Sequence, residues 1–328
     1  MPQLVRNPER ILQRLDWTVV RRLDGLLQGD YRTLFRGFGL DLADLREYQF
    51  SDDIRHIDWN VTARMQTPYV REYVEDREVT AWFLLDLSPS VDFGTVQTLK
   101  RNLLIDFVAV LARLLTRHGN RVGAIIYSGK VERVIPAQGG KPQVLRLISD
   151  LTGQPKLKNS PPTDLAALLE AALRMIRRRS LVFIVSDFIS APGWEKVLGP
   201  LTRRHEVLAV RLYDPREVEL PDIGPVILED AETGEQLYID THDKRFRNRF
   251  VEAAQKREYE LNVALRRDGV DVVQLSTEGD LVQEVLRFAM SRKQRKKSPA
   301  SSTPSGRANT RGLSSRRSET DGWDRRTE

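Results

Sequence analysis

The sequence predicts an α/β protein with a Rossmann-type, mostly parallel sheet and helices on both faces. Three observations predict it. Two short apolar runs, Ala81 to Leu85 and Leu181 to Val185, are bounded by turn residues and read as strands buried on both faces. Strand-like and helix-like stretches alternate from residue 79 to residue 290. Both apolar runs lead into an aspartate, Asp86 and Asp187, which places acids at the carboxyl edge where such sheets bind ligands.

The elements follow in order. Residues 1–34 form an N-terminal unit whose 8–28 stretch carries Ile11, Leu12, Leu15, Val19, Leu23 and Leu26. That spacing gives an amphipathic helix with an arginine-rich outer face, started by Pro8 and stopped by Gly29. Packing on the body is expected, ahead of a partner or an anionic membrane. Residues 35–78 are dense in charges and aromatics. Gly37-Phe38-Gly39 lacks the spacing of a nucleotide loop. Asp52, Asp53, Arg55, His56, Asp58, Trp59 and Arg64 have poor periodicity. They read as a structural knot of arginine–carboxylate pairs, with an exposed interaction surface as the other reading. Thr67 to Val74 reads as a strand.

The body spans 79–290. After Asp86 comes an Asp-x-Ser-x-Ser loop with Ser88 and Ser90, then a helical pattern from about Thr95 to Arg117. Residues 121–128 and 131–136 form an antiparallel pair turned by Ser128-Gly129-Lys130. A helix from about Pro142 to Leu151 follows, and then a polar loop. Thr163 stands where that loop becomes a helix, a favoured N-cap position. Another helix, near Gly193 to Thr202, leads into the strand Glu206–Leu212. Residues 213–242 read as an insertion carrying a surface hairpin with Thr233-Gly234 near its tip. A charged helix to Arg267, the strand Val270–Leu275 and a helix from Asp280 to Met290 complete the body.

Composition bounds the function. Without cysteine there are no disulfides, thiolate metal sites or cysteine nucleophiles. No signal-peptide core or bilayer-length apolar run is found, so a cytoplasmic location is expected. The net charge of +6 belongs to the tail: residues 291–328 hold 11 Lys/Arg and 4 Asp/Glu, a net of +7, which leaves −1 for the rest. This tail is too poor in apolar residues to order itself. The body therefore offers no charge-based reason to bind nucleic acid.

Asp86, Ser88, Ser90, Thr163 and Asp187 converge at the carboxyl edge in this fold class. Each has a plain reading, the serines as turn formers, Thr163 as a cap and Asp187 as a turn or cap residue. Together their oxygens make a seat for a hard divalent cation, Mg²⁺ or Mn²⁺. The reading fails if the oxygens stand too far apart to share an ion, or if a neighbouring basic side chain blocks them.

Those five residues resemble the metal-ion-dependent adhesion site (MIDAS) of von Willebrand factor A domains. The segment LREYQFSDDIRHIDWNVTAR, with YVREYVEDRE, closely resembles the hallmark region of the bacterial DUF58 family. The likeness covers roughly residues 35–290. It departs at Pro89, which stiffens the loop, and at Ser186-Asp187-Phe188, where many A domains have Thr-Asp-Gly and where Phe188 could narrow access. The resemblance implies that Ser88 and Ser90 bind the ion directly. Thr163, Asp86 and Asp187 bind it directly or through water, and a partner's Asp or Glu carboxylate takes the open position. It also implies a MoxR-type AAA+ ATPase as partner and a chaperone-like adaptor rather than an enzyme. A Mg²⁺-dependent hydrolase or phosphoryl-transfer enzyme is the alternative, as is nucleic-acid or membrane association through the tail. No phosphate loop or Gly-x-Ser-x-Gly elbow supports an enzyme, and His56, His118, His205 and His242 are scattered.

Overall fold

The computed structural model describes residues 7–26, 45–50, 52–54, 57–71, 79–95, 98–157, 160–287 and 290. Gly29, Gly37-Phe38-Gly39, Arg55, His56 and the 291–328 tail lie outside the described residues. The strands are β1 (Leu45–Glu47), β2 (Tyr69–Arg71), β3 (Thr80–Asp86), β4 (Arg121–Tyr127), β5 (Val131–Gln138), β6 (Leu181–Ser186), β7 (Glu206–Tyr213), β8 (Pro225–Glu229), β9 (Gln236–Asp240) and β10 (Asp271–Ser276). The helices are α1 (Pro8–Leu15), α2 (Arg21–Leu26), α3 (Trp59–Met65), α4 (Lys100–Arg117), α5 (Gly140–Thr152), α6 (Leu165–Met175), α7 (Trp194–Arg204), α8 (Lys244–Arg267) and α9 (281–287).

The main sheet runs β10-β7-β6-β3-β4-β5. Only the β4–β5 pair is antiparallel. This is the predicted mostly parallel α/β class. Both faces are covered. One core packs α4, α5 and the N-terminal helix on the sheet, and the other packs α6, α7 and Leu265 of α8. Residues 81–85 alternate between the two, Phe83 and Leu85 facing the first and Leu84 the second. Phe83 stacks on Phe183 across the β3–β6 pair, with centroids 5.3 Å apart.

The chain leaves β3 toward β4 on one side and later returns as β6 on the other. The carboxyl ends of β3 and β6 therefore flank the topological switch point, the crevice such sheets use for ligands.

The N-terminal helix packs on the body, as its spacing predicts. Leu12, Val20 and Leu23 are buried in the main core, and one guanidinium nitrogen of Arg14 donates to both carboxylate oxygens of Asp106 in α4. A π-helical turn at Asp16–Val20 joins α1 to α2 and turns both Val19 and Val20 inward. In the 35–78 segment, β1 and β2 pair antiparallel, and Asp58 caps α3 through the Asn60 and Val61 amides. That supports a locally tied structure. Phe50, Ile54, Trp59 and Met65 are nevertheless exposed, so the segment also presents an apolar surface.

One boundary differs from expectation. The helix predicted from about Thr95 begins at Lys100. Thr95 gives its amide and hydroxyl to Asp214, at 2.9 and 2.7 Å. Gly94 then lies so close to the backbone of Thr98 and Leu99 that a Cβ there would stand 2.4 Å from the Thr98 carbonyl oxygen. Lys100 donates its amide to the Phe93 carbonyl. The close approach at Gly94 brings the start of α4 against the loop that follows β3.

Candidate metal centre

Asp86 ends β3 and is fully buried. One of its carboxylate oxygens accepts the Ser88 amide at 3.0 Å, and the other accepts the Ser186 hydroxyl at 2.6 Å. Ser186 closes β6, so this bond ties the two strand ends across the switch point. Pro89 opens a 3₁₀ turn over Pro89–Asp92. That turn sets the buried Ser88 and Ser90 hydroxyls 3.0 Å apart. Two adjacent ligands of an octahedral ion with bonds of about 2.1 Å stand about 3 Å apart.

Thr163 is buried, and it is not the helix cap that its position suggested. Asp164 caps α6 by accepting the Ala166 and Ala167 amides. The Thr163 hydroxyl is released from that task and donates to Glu232 at 2.5 Å. The Thr163 amide also points at the Glu232 carboxylate, at 3.1 and 3.2 Å. Glu232 belongs to the turn between β8 and β9.

Asp187 follows β6 and is buried. One oxygen accepts the Ile189 amide at 3.0 Å. The other accepts from the Lys100 ammonium at 2.8 Å, and Lys100 also donates to Glu217 at 2.6 Å. Burial works against the Lys100 charge, but Asp187 and Glu217 more than offset it, and its pKa is raised. Glu217 forms a capping box with Asp214, and Asp214 is held by Thr95 and Thr277. Burial opposes the Asp214 charge as well, yet these hydrogen bonds win and hold its pKa below the usual carboxylate value.

The five expected residues therefore split into linked groups. Asp86 joins Ser88 and Ser186, and Asp187 stands near enough to repel it: burial first, then the Asp187 charge, raises the Asp86 pKa to about 6. Asp86 and Glu232 both act on the buried phenol of Tyr127, which itself accepts the Asp164 amide. Lys100 is the basic neighbour that counts against an ion: its ammonium occupies one Asp187 oxygen and also holds Glu217, so it blocks Asp187, one of the five expected ligands, while the hydroxyls are held by other partners. Among the described residues no three acidic, histidine or cysteine side chains form a ready metal cage. An ion held here would have to lean on the hydroxyls rather than on a set of carboxylates. Phe188 does not cover the site with its ring. It adopts φ 59° and packs on Trp194, with centroids 5.7 Å apart, in the second core.

Sequence reading missed Lys100, Ser186, Glu217 and Glu232. Lys100 had a signal: it heads the stripe Lys100, Leu103, Leu104, Phe107 at helical spacing, where a lysine is out of place. Glu232 had none beyond an acidic turn. His118, His205 and His242 stand apart from these residues, and buried His205 has its pKa lowered mainly by burial.

Fold and site define an α/β domain with hydroxyls and carboxylates gathered at its switch point. The chain belongs to the DUF58 family, described as a protein family of unknown function, which matches residues 44–260. It is 37% identical over 282 residues to proteins of Mycobacterium bovis and Mycobacterium tuberculosis described as uncharacterized, covering 86% of this chain and 89% of each relative. Among solved structures it is similar to the conserved hypothetical protein BatB from Bacteroides thetaiotaomicron, at 12% identity and TM-score 0.41, over 66% of this chain and 99% of that one. No described helix is long and apolar enough to cross a membrane.

Proposed function

We propose that this chain is a metal-dependent protein-binding module with a von Willebrand factor A-type site, serving as a cytoplasmic adaptor for a MoxR-type AAA+ ATPase. The observation that carries the reading is the buried Ser88–Ser90 hydroxyl pair, 3.0 Å apart beside an anchored Asp86. A hydroxyl keeps two lone pairs whatever its proton does, so both serines can donate to a cation together. Asp86, fixed by Ser88 and Ser186, supplies negative charge close behind them. Thr163 donates its proton away to Glu232 and keeps its lone pairs available. Asp187 joins them only if Lys100 gives up its oxygen. A bound Mg²⁺ or Mn²⁺ would supply a Lewis-acidic seat for a carboxylate.

The test is unfolding with and without Mg²⁺, followed by binding of a purified MoxR-type ATPase with and without EDTA. The reading expects a Mg²⁺-dependent rise in Tm that Asp86→Ala removes, and binding that both EDTA and Asp86→Ala weaken. Binding indifferent to both rejects it.

A further inference from the structure

We propose that Glu232 occupies, from within the chain, the place a partner's carboxylate takes at this site, so that the β8–β9 hairpin is a built-in plug a partner must displace. The inference rests on the cation reading above and goes further by naming what fills the docking position at rest.

The tip is constructed to present Glu232. Asp230 accepts the amides of Glu232 and Thr233 and the Thr233 hydroxyl, at 3.0, 2.7 and 2.9 Å. Burial counts for little in the lowered pKa of Asp230, which follows first from the Thr233 amide and then from the Thr233 hydroxyl. Gly234, at φ 74°, closes the turn with its amide on the Asp230 carbonyl. The Glu232 carbonyl accepts the Ser160 amide at 3.0 Å, which fixes the tip on the loop before Thr163. The side chain then reaches the Thr163 hydroxyl and amide. Ser90 and Glu232 line one cavity of about 630 Å³ between hairpin and body. This carboxylate thus stands beside one expected ligand and opens on the same space as another.

The hairpin is suited to leave. Among the described residues it is a separate two-stranded sheet, with no ladder to the main one. An isolated hairpin of this size has marginal stability of its own. Its base is pinned, since Thr241 hydrogen-bonds Gly224 and the Ile223 amide. Its span crosses an apolar cavity lined by Phe93, Leu220, Val226, Leu228 and Phe250. Ile227, Leu237 and Tyr238 are exposed on it. Release of the tip therefore opens the acid-binding position and an apolar surface together. The partner chemistry that fits is an Asp or Glu flanked by apolar residues.

The test compares the full chain with Glu232→Ala and, as control, Glu235→Ala, an acid on the same turn. Three quantities are read: Mn²⁺ affinity, water-proton relaxation by bound Mn²⁺ with and without acetate, and hydrogen exchange of residues 225–240 in metal-free protein. Glu232→Ala is expected to weaken Mn²⁺ by about 10- to 100-fold. It is also expected to raise relaxation per bound ion, because water takes the vacated position, and acetate then lowers that gain. Exchange in the hairpin rises, and Glu235→Ala matches the parent throughout. If Mn²⁺ binds with equal relaxation in parent and Glu232→Ala, Glu232 is only a hydrogen-bond partner of Thr163; the inference falls and the cation reading stands. If neither protein binds Mn²⁺, the cation reading falls and takes the inference with it.

Discussion

Asp86 is a carboxylate kept in an apolar strand end with Asp187 nearby, and burial first, then that charge, raises its pKa from 3.8 to about 6. Between those values the folded chain holds a proton that the unfolded chain has released. Stability from this group is therefore lost as pH rises from about 4 to 6, by about 3 kcal/mol in all. Urea unfolding in EDTA should show Asp86→Asn gaining that amount over the parent between pH 4 and pH 6.5; a constant difference contradicts the assignment. Lys100 gives a second test. Replacing it with Met leaves the buried Asp187 and the partly exposed Glu217 without their cation, which should cost about 3 kcal/mol in metal-free protein. Adding Asp187→Asn should recover part of the loss, and a double-mutant cycle reads the coupling. These residues also show where sequence reading stops. Asp86 and Asp187 were legible because each follows a strand, but their partners come from far along the chain, Ser186 for Asp86 at 100 positions and Lys100 for Asp187 at 87, and no local pattern encodes such a meeting.

The start of α6 separates two roles that one position seemed to hold. Asp164 does the capping, so Asp164→Ala should cost about 1 kcal/mol, read by thermal or urea unfolding. Thr163→Val should cost the helix nothing at its cap but release the tip. Hydrogen exchange at residues 230–235 should then rise while α6 stays protected; equal protection of the tip contradicts the Thr163–Glu232 link. The N-terminal helix is part of the core, so Leu12→Ala or Leu23→Ala should cost about 2–5 kcal/mol in the same unfolding assay. That helix was readable because its apolar spacing matches the buried face. The strands β3 and β6 were readable because burial on both sides demands unbroken apolar runs. The first turn of α4 was not, because Thr95 is claimed by Asp214, 119 residues further along. The hairpin was recognisable as a hairpin, but its return to the sheet edge depends on Ser160, Thr163 and Glu232 meeting in space.

At the scale of the molecule, the parallel sheet brings strand ends from distant parts of the chain to one switch point. The hydroxyls of Ser88 and Ser90 stand there beside Asp86, with Lys100 and Glu232 on the flanking acids and Thr163. The fold class followed from alternation, Asp86 and Asp187 from where the strands end, Ser88 and Ser90 from the loop after β3, and Thr163 from the start of a helix. Whether they share an ion is the central claim. The most direct measurement is an anomalous difference map from crystals grown with Mn²⁺. The account predicts a peak about 2.1 Å from the hydroxyl oxygens of both Ser88 and Ser90. A map with no peak between those hydroxyls at saturating Mn²⁺, and Lys100 still seated on Asp187, contradicts it.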